Sequence, residues 1–240
     1  MAKNWLRKLV PFPRKKTLKK WFPTFETRNL AHLIVESGAD SVIDIGANEG
    51  QFVERIRSGG VKLPVYSFEP IPALRRLLED KANKDSKWFI SEPVAIGKEH
   101  GVAEFFVTRE STLSSLLRPS RSDGAAEAID ITQRESVQVV TLDQLSTTFL
   151  SGSDRPFIKI DVQGSELDVL SGARDTLSRA AGLMLEIGFT PLYHSEPSYL
   201  QVLQLLDNAG FKPSFIFPIM KKKKFGGHAQ YDFVFVRKEH

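Results

Sequence analysis

The run Val42-Ile43-Asp44-Ile45-Gly46-Ala47-Asn48-Glu49-Gly50 constrains this chain more than any other segment. An apolar stretch short enough for a buried strand runs into a glycine turn, and a helical pattern follows at once. In doubly wound α/β sheets, ligands sit beyond the carboxyl ends of such strands. Gly46 and Gly50 let the backbone turn sharply and approach a ligand with no Cβ in the way. Asn48 tolerates a left-handed backbone and can hydrogen-bond locally. The spacing departs from the G-x-G-x-x-G dinucleotide fingerprint. Its chemistry departs too, because a pyrophosphate seeks bare N–H groups at a helix N-terminus. Asp44 and Glu49 make the loop a poor host for pyrophosphate and a good one for the ammonium and sulfonium of S-adenosylmethionine.

The rest of the chain alternates in the way such a fold requires. Thr24 can cap a helix to about Ser37, with Gly38 ending it. Strands are expected at Ser41–Ile45, Val65–Phe68, Trp88–Ile96 (bent at Pro93), Val102–Thr108, Val137–Thr141, Phe157–Val162 and Leu183–Ile187. Helices are expected at Gln51–Ser58, after Pro72, at Leu142–Leu150, from about Ser165 to Ser178, and at Ser198–Asn208. Phe215–Ile219 and Tyr231–Val236 read as a closing hairpin. Arg109–Arg134, rich in Ser, Thr, Ala and Arg, reads as a long irregular segment. Its Ser111, Thr112, Ser114 and Ser115 belong either to a substrate lid or to a solvated loop. Alternating elements imply a mostly parallel sheet with helices on both faces, and the hairpin adds an antiparallel edge. The architecture expected is a Rossmann-like class I methyltransferase fold with a seven-stranded sheet.

Glu69 ends the second strand, about 25 residues beyond Asp44. An acid roughly 20 residues past the glycine loop commonly takes a ribose diol, and two carboxylate oxygens match two vicinal hydroxyls. Pro70 would hold the turn that follows. Asp161 ends a strongly apolar strand. Lys159, two residues earlier, points to the same face and would keep Asp161 charged. Asp161 therefore reads as a general base, or as a cap of the next helix. It could also hold a divalent cation, with Glu166 and Glu186 assisting if the fold brings them close, but no metal site is predicted. His194 is a second candidate base or a surface histidine, and Tyr193 beside it could shape an acceptor pocket.

Taken in order, Asp44-Ile45-Gly46-Ala47-Asn48-Glu49-Gly50, Phe68-Glu69-Pro70, Pro93-Val94-Ala95-Ile96-Gly97, Thr141-Leu142-Asp143 and Ile158-Lys159-Ile160-Asp161-Val162-Gln163-Gly164-Ser165-Glu166 resemble the FkbM family of methyltransferases. The resemblance runs from about Val42 to Val236. It implies S-adenosylmethionine-dependent O-methylation of a hydroxyl on a sugar, glycolipid or other natural product. It implies a cofactor site over Asp44, Gly46, Ala47, Asn48, Gly50, Glu69, Pro70, Ala95 and Ile96. Gln163 departs from the family pattern, which usually has Glu there.

Residues 1–23 lie outside the resemblance and read as a basic arm ahead of a domain over 24–240. The arm's Lys and Arg side chains alternate with Trp5, Leu6, Trp21 and Phe22, with no acid before Glu26. It has no apolar core of the ~7–15 residues a secretory signal needs. It is either solvated or laid on an anionic membrane surface. Lys221-Lys222-Lys223-Lys224 is either a solvated run or a contact for an anionic acceptor. The chain has no cysteine, which rules out disulfides, thiolate nucleophiles and cysteine-ligated metals. A cytoplasmic location, with or without membrane contact, is expected. The alternative is a nucleic-acid-binding or nucleic-acid-modifying protein using the arm and the lysine run. Against it, the aromatics form no recognition motif and no Asp/Asn-Pro-Pro-Tyr loop is present.

Overall fold

The computed structural model describes residues 24–120, 130–152, 154–221 and 228–238. The basic arm, Arg121, Lys222–Lys224, Gly226 and Gly227 lie outside them. α1 (Phe25–Glu36) is capped by Thr24, whose hydroxyl accepts from Thr27 N–H. Then come β1 (Ser41–Ile45), α2 (Gln51–Ser58), β2 (Val65–Phe68), α3 (Pro72–Ala82), β3 (Trp88–Ile90), β4 (Val94–Ile96) and β5 (Gly101–Thr108). β6 (Ile131–Val140), α4 (Leu142–Ser146), β7 (Pro156–Ile160), α5 (Glu166–Ser171) and α6 (Arg174–Arg179) follow. The chain closes with β8 (Gly182–Gly188), α7 (Tyr199–Asn208), β9 (Phe211–Lys221) and β10 (His228–Arg237).

Seven strands form the main sheet in the order β3-β2-β1-β7-β8-β10-β9. The first five run parallel, and β10 pairs antiparallel with both β8 and β9. This is the expected class I methyltransferase arrangement. β9 is its long outer edge and carries Pro213 and Pro218. Side chains alternate along each central strand, so the sheet has two cores. Ile43, Ile158, Leu183 and Leu185 pack toward Leu170 and Leu206. Val42, Phe157, Met184 and Val234 pack toward Leu30, Ile34, Val53 and Ile56 of α1 and α2. Among the described residues, no helix is long and apolar enough to cross a membrane.

A second sheet, β4-β6-β5, was not foreseen. The expected Trp88–Ile96 strand is two strands in two sheets. Pro93 has no N–H to continue a ladder, and Val94 N–H closes a tight turn onto Glu92 O at 2.8 Å. β4 then pairs with β6, while β3 stays on β2. β6 begins at Ile131, inside the stretch read as irregular, because most of its early residues face solvent and leave no apolar alternation to read. The small sheet packs through Ala95, Phe105 and Val137 onto Ile71 and Leu74.

The helix expected from Ser165 to Ser178 is broken into α5 and α6 at Gly172. A Cβ there would lie 2.1 Å from the carbonyl oxygen of Gly97, so the break is where the loop after β4 presses on the helix. Gly172→Ala should cost about 2–3 kcal/mol through overpacking. At this chain length that is a fall in Tm of roughly 5–10 °C, readable by calorimetry.

Candidate active site

The loop after β1 is held from three sides. Gly46 and Ala47 N–H groups donate to Phe68 O at 3.0 and 3.1 Å, and Asp161 N–H donates to Ile45 O at 3.1 Å. Gly46 has φ +74, and a Cβ on it would lie 1.9 Å from Asp161 O. Asn48 adopts the left-handed backbone expected of it, at φ 49. Gly50, at φ +85, precedes α2, and the space a Cβ would need is filled by the Trp88 ring. Its part is to shape the turn, and it does not line the cavity below.

Asp44 differs from expectation. It is fully buried and does not reach the cavity. Ser67, Asp44, Lys159 and Met184 are successive register partners across β2, β1, β7 and β8, so Asp44 is enclosed between neighbouring strands. Trp88 Nε1–H donates to Ser67 Oγ at 2.9 Å, and Ser67 O–H donates to Asp44 Oδ2 at 3.1 Å. Lys159 Nζ stands 3.1 Å from Asp44 Oδ1 and donates to Gly46 O at 2.7 Å. The lysine expected to serve Asp161 is thus held mainly by Asp44, with Asp161 Oδ2 at 3.6 Å. Burial works against its charge, but Asp44 and Asp161 outweigh burial and raise its pKa above the ordinary value.

Glu69 is 4% exposed, at the end of β2. Its Oε2 accepts from Asn48 N–H at 2.8 Å and its Oε1 from Ile71 N–H at 2.9 Å. Each oxygen keeps a further lone pair for a ligand. Burial pushes the carboxyl up to about 7, against the two N–H donors and Lys159, which pull it down.

Glu69 lies on one wall of a cavity of about 400 Å³, within the ~300–1,000 Å³ of small-molecule sites. Gly46, Ala47 and Asn48 share its wall, as do Pro70, Ala95 and Ile96 beside Phe105. Ser111, Thr112 and Ser114 cover it from the small sheet, and the Ser111 hydroxyl reaches Asn48 Oδ1 at 3.3 Å. Beyond Gly46 it continues past Arg55 and Lys159 to Asp161, Gln163, Glu186 and Asp232.

Asp161 does not cap the following helix. Its Oδ1 accepts from Gln163 Nε2–H at 2.8 Å, and the same amide donates to Glu186 Oε1 at 2.9 Å. Glu166 turns away from both: its Oε1 accepts from Val162 N–H and Gly164 N–H at 3.3 and 3.1 Å. Among the described residues, no three His, Asp or Glu side chains converge to hold a metal. Tyr193 is buried behind the wall, its O–H donating to Leu113 O at 2.9 Å and toward Gln163 Oε1 at 3.2 Å. Ser115, also behind the wall, donates to Gln163 O at 2.7 Å. His194 is exposed and does not line the cavity. Its backbone N–H donates to Arg118 O at 2.8 Å.

The model of the methyltransferase FkbM domain matches residues 44–213. The chain belongs to the FkbM methyltransferase family. It is 28% identical over 182 residues to the 2-O-methyltransferase NoeI of Sinorhizobium fredii, covering 72% of this chain and 73% of that protein. Among solved structures, the methyltransferase FkbM of Methylobacillus flagellatus superposes with a TM-score of 0.50 at 17% identity. That match covers 81% of this chain and 43% of the other, so this chain spans less than half of that protein. The fibrillarin of Aeropyrum pernix, solved with S-adenosyl-L-methionine, gives a TM-score of 0.48 at 12% identity, over 82% of this chain and 66% of that one.

In this FkbM chain, sequence reading overlooked Arg55, the bracing amide of Gln163, and the carboxylates of Glu186 and Asp232 as a pair. Arg55 was hidden on a helix whose cavity-facing side the motif does not reveal. Glu186 and Asp232 come together only through the register of β8 with β10, which no local pattern encodes.

Burial and the neighbouring Asp161 push Glu166 up to about 7, against its backbone N–H donors. A carboxyl raised in the folded state stabilises below its unfolded pKa and loses that contribution as pH climbs through the folded one. Glu166→Gln can keep both hydrogen bonds at Oε1 and removes the titration. Relative to wild type, it should be stabilising by about 2 kcal/mol more at pH 8 than at pH 5.5, as measured by denaturant unfolding at the two pH values.

Proposed function

We propose that this methyltransferase uses S-adenosylmethionine and methylates a hydroxyl on a sugar, glycolipid or other natural product. The observation that carries the cofactor assignment is the Glu69 carboxylate. It is buried, fixed by two backbone N–H groups, and turned with open lone pairs into the cavity that Gly46, Ala47 and Asn48 border. That geometry suits a ribose diol. Pro70, Ala95, Ile96 and Phe105 supply the apolar walls a purine needs. Arg55, on the second turn of α2, borders the same cavity and faces Asp232 at 3.5 Å. The cofactor supplies an electrophilic methyl group on a sulfonium that leaves as a neutral thioether.

The protein's share is to align the acceptor, exclude water and accept one proton. Alignment can supply several kcal/mol, and a general base about 10²–10⁴-fold. Ser111, Thr112 and Ser114 line the cavity from the turn after β5. A hydroxyl acceptor is supported by the relative named as a 2-O-methyltransferase and by the carboxylates at the far end of the cavity. Those same carboxylates disfavour a nucleic-acid acceptor, whose phosphates they would repel.

Calorimetric titration with S-adenosylhomocysteine tests the site. Wild type should bind, and Glu69→Ala should weaken binding about tenfold or more, near 1.4 kcal/mol. The ribose hydroxyls donate to the ionised carboxylate, so affinity should rise as Glu69 ionises. Between pH 6 and 8 the gain is about tenfold for a group near 7, and Glu69→Gln should abolish it. Absence of binding to wild type, or an indifferent Glu69→Ala, would reject the assignment.

A further inference from the structure

Past Asp161 the cavity runs over β8 and β10. Glu186 and Asp232 are direct register partners there, so their side chains stand together on one face of the antiparallel pair. Met184 lies two residues before Glu186 on that face, and Gln230 and Ile219 complete the wall. The acids of this region are engaged differently. Asp161 has a partner at each oxygen, the Gln163 amide at 2.8 Å and the Lys159 ammonium at 3.6 Å. Asp232 faces Arg55 at 3.5 Å. Glu186 is tied at Oε1 alone, by Gln163 at 2.9 Å. Its Oε2 has no protein hydrogen-bond partner among the described residues. Gln163 is itself fixed, with Tyr193 O–H toward its Oε1 and Ser115 O–H on its backbone oxygen.

We propose that Glu186 is the general base of the reaction, its Oε2 taking the proton from a hydroxyl of a neutral glycoside seated over β8 and β10, with Gln163 as the positioning residue that holds it beside Asp161. This rests on the methyltransferase reading above and deepens it. The acceptor oxygen forms its bond to the methyl carbon as the carbon–sulfur bond breaks. The electron pair of that bond stays on sulfur, and the hydroxyl proton passes to Glu186, which becomes a neutral carboxylic acid. That product is favoured where it forms, because protonation relieves the repulsion between Glu186 and Asp161. Burial and then Asp161 push the Glu186 carboxyl well above the usual range, with Asp232 and Glu166 acting the same way and the Gln163 amide against them. Among the described residues, the nearby cations Lys159 and Arg55 are engaged with Asp44, Asp161 and Asp232. Three carboxylates at this end also select against a phosphorylated or carboxylated acceptor.

The test compares Glu186→Gln with Asp161→Asn by two readouts. In protein labelled with ¹³C at the glutamate carboxyls, the resonance lost in E186Q should titrate above the ordinary glutamate range, and its midpoint should fall in D161N. Methyl transfer from S-adenosylmethionine is then followed over a panel of methyl glycosides of neutral hexoses, with the matching sugar phosphates as contrast. E186Q should lose about 10²-fold or more in kcat, while S-adenosylhomocysteine affinity stays within about twofold. D161N should keep more turnover than E186Q, with its pH profile moved to lower pH. Four results would overturn the proposal: an ordinary titration for Glu186, a D161N variant more crippled than E186Q, preference for the sugar phosphates, or no turnover of any neutral glycoside by wild type that binds S-adenosylhomocysteine. Wild type that fails to bind S-adenosylhomocysteine would instead strike the underlying methyltransferase site, and the proposal with it.

Discussion

The buried pair of Asp44 and Lys159 is the contact on which the site depends. Two opposite charges stand 3.1 Å apart under the loop after β1, with Asp44 fully buried and Lys159 on the cavity wall. Removing one partner from such a pair typically costs about 3–5 kcal/mol, because the other charge is left buried and alone. The pair also has a directional consequence. Lys159 spends its hydrogen bonds on the carbonyls of Ile45 and Gly46, so the loop is drawn down onto β7. The Gly46–Ala47–Asn48 backbone then presents itself to the cavity, and Asn48 N–H is left aimed at Glu69. A charge on β1 thus shapes the ligand-facing surface without touching it.

The same row of register partners explains what was legible in the sequence. The strand–turn–helix around Gly46 could be read because its signal is local: an apolar run, a glycine with positive φ, a helix beginning at once. Glu69 could be read because its distance along the chain from that loop is tied to one β-α-β unit. Asp44 was misread because its letter is acidic and it stands two residues before the glycine turn, whereas its environment is decided by Ser67 and Lys159 on two other strands. His194 was overvalued for its chemistry alone, since nothing near it in sequence tells which side of the loop its ring takes. The small sheet escaped notice because β6 is mostly exposed and lacks alternation. Yet that sheet supplies Ala95, Phe105 and, through the turn after β5, the serines that cover the cavity.

Gln163 links these levels. It sits in a left-handed backbone conformation, φ 55, directly before Gly164 at φ 98. That bend brings its amide back over the end of β7. A carboxylate at this position would face two more carboxylates with no donor between them, while an amide offers a hydrogen to each. An amide in place of a carboxylate here therefore alters how many protons the cluster must hold at a given pH.

The outer edge of the main sheet has its own consequence. β9 is eleven residues long, and its far side is paired with nothing among the described residues. An edge of that length is a template for a stray strand. Pro213 and Pro218 each lack the N–H that an incoming chain would need. The protein can thus keep a long apolar border beside its binding cleft, with Ile219 on the cleft wall, and still resist growing into fibrils from that side.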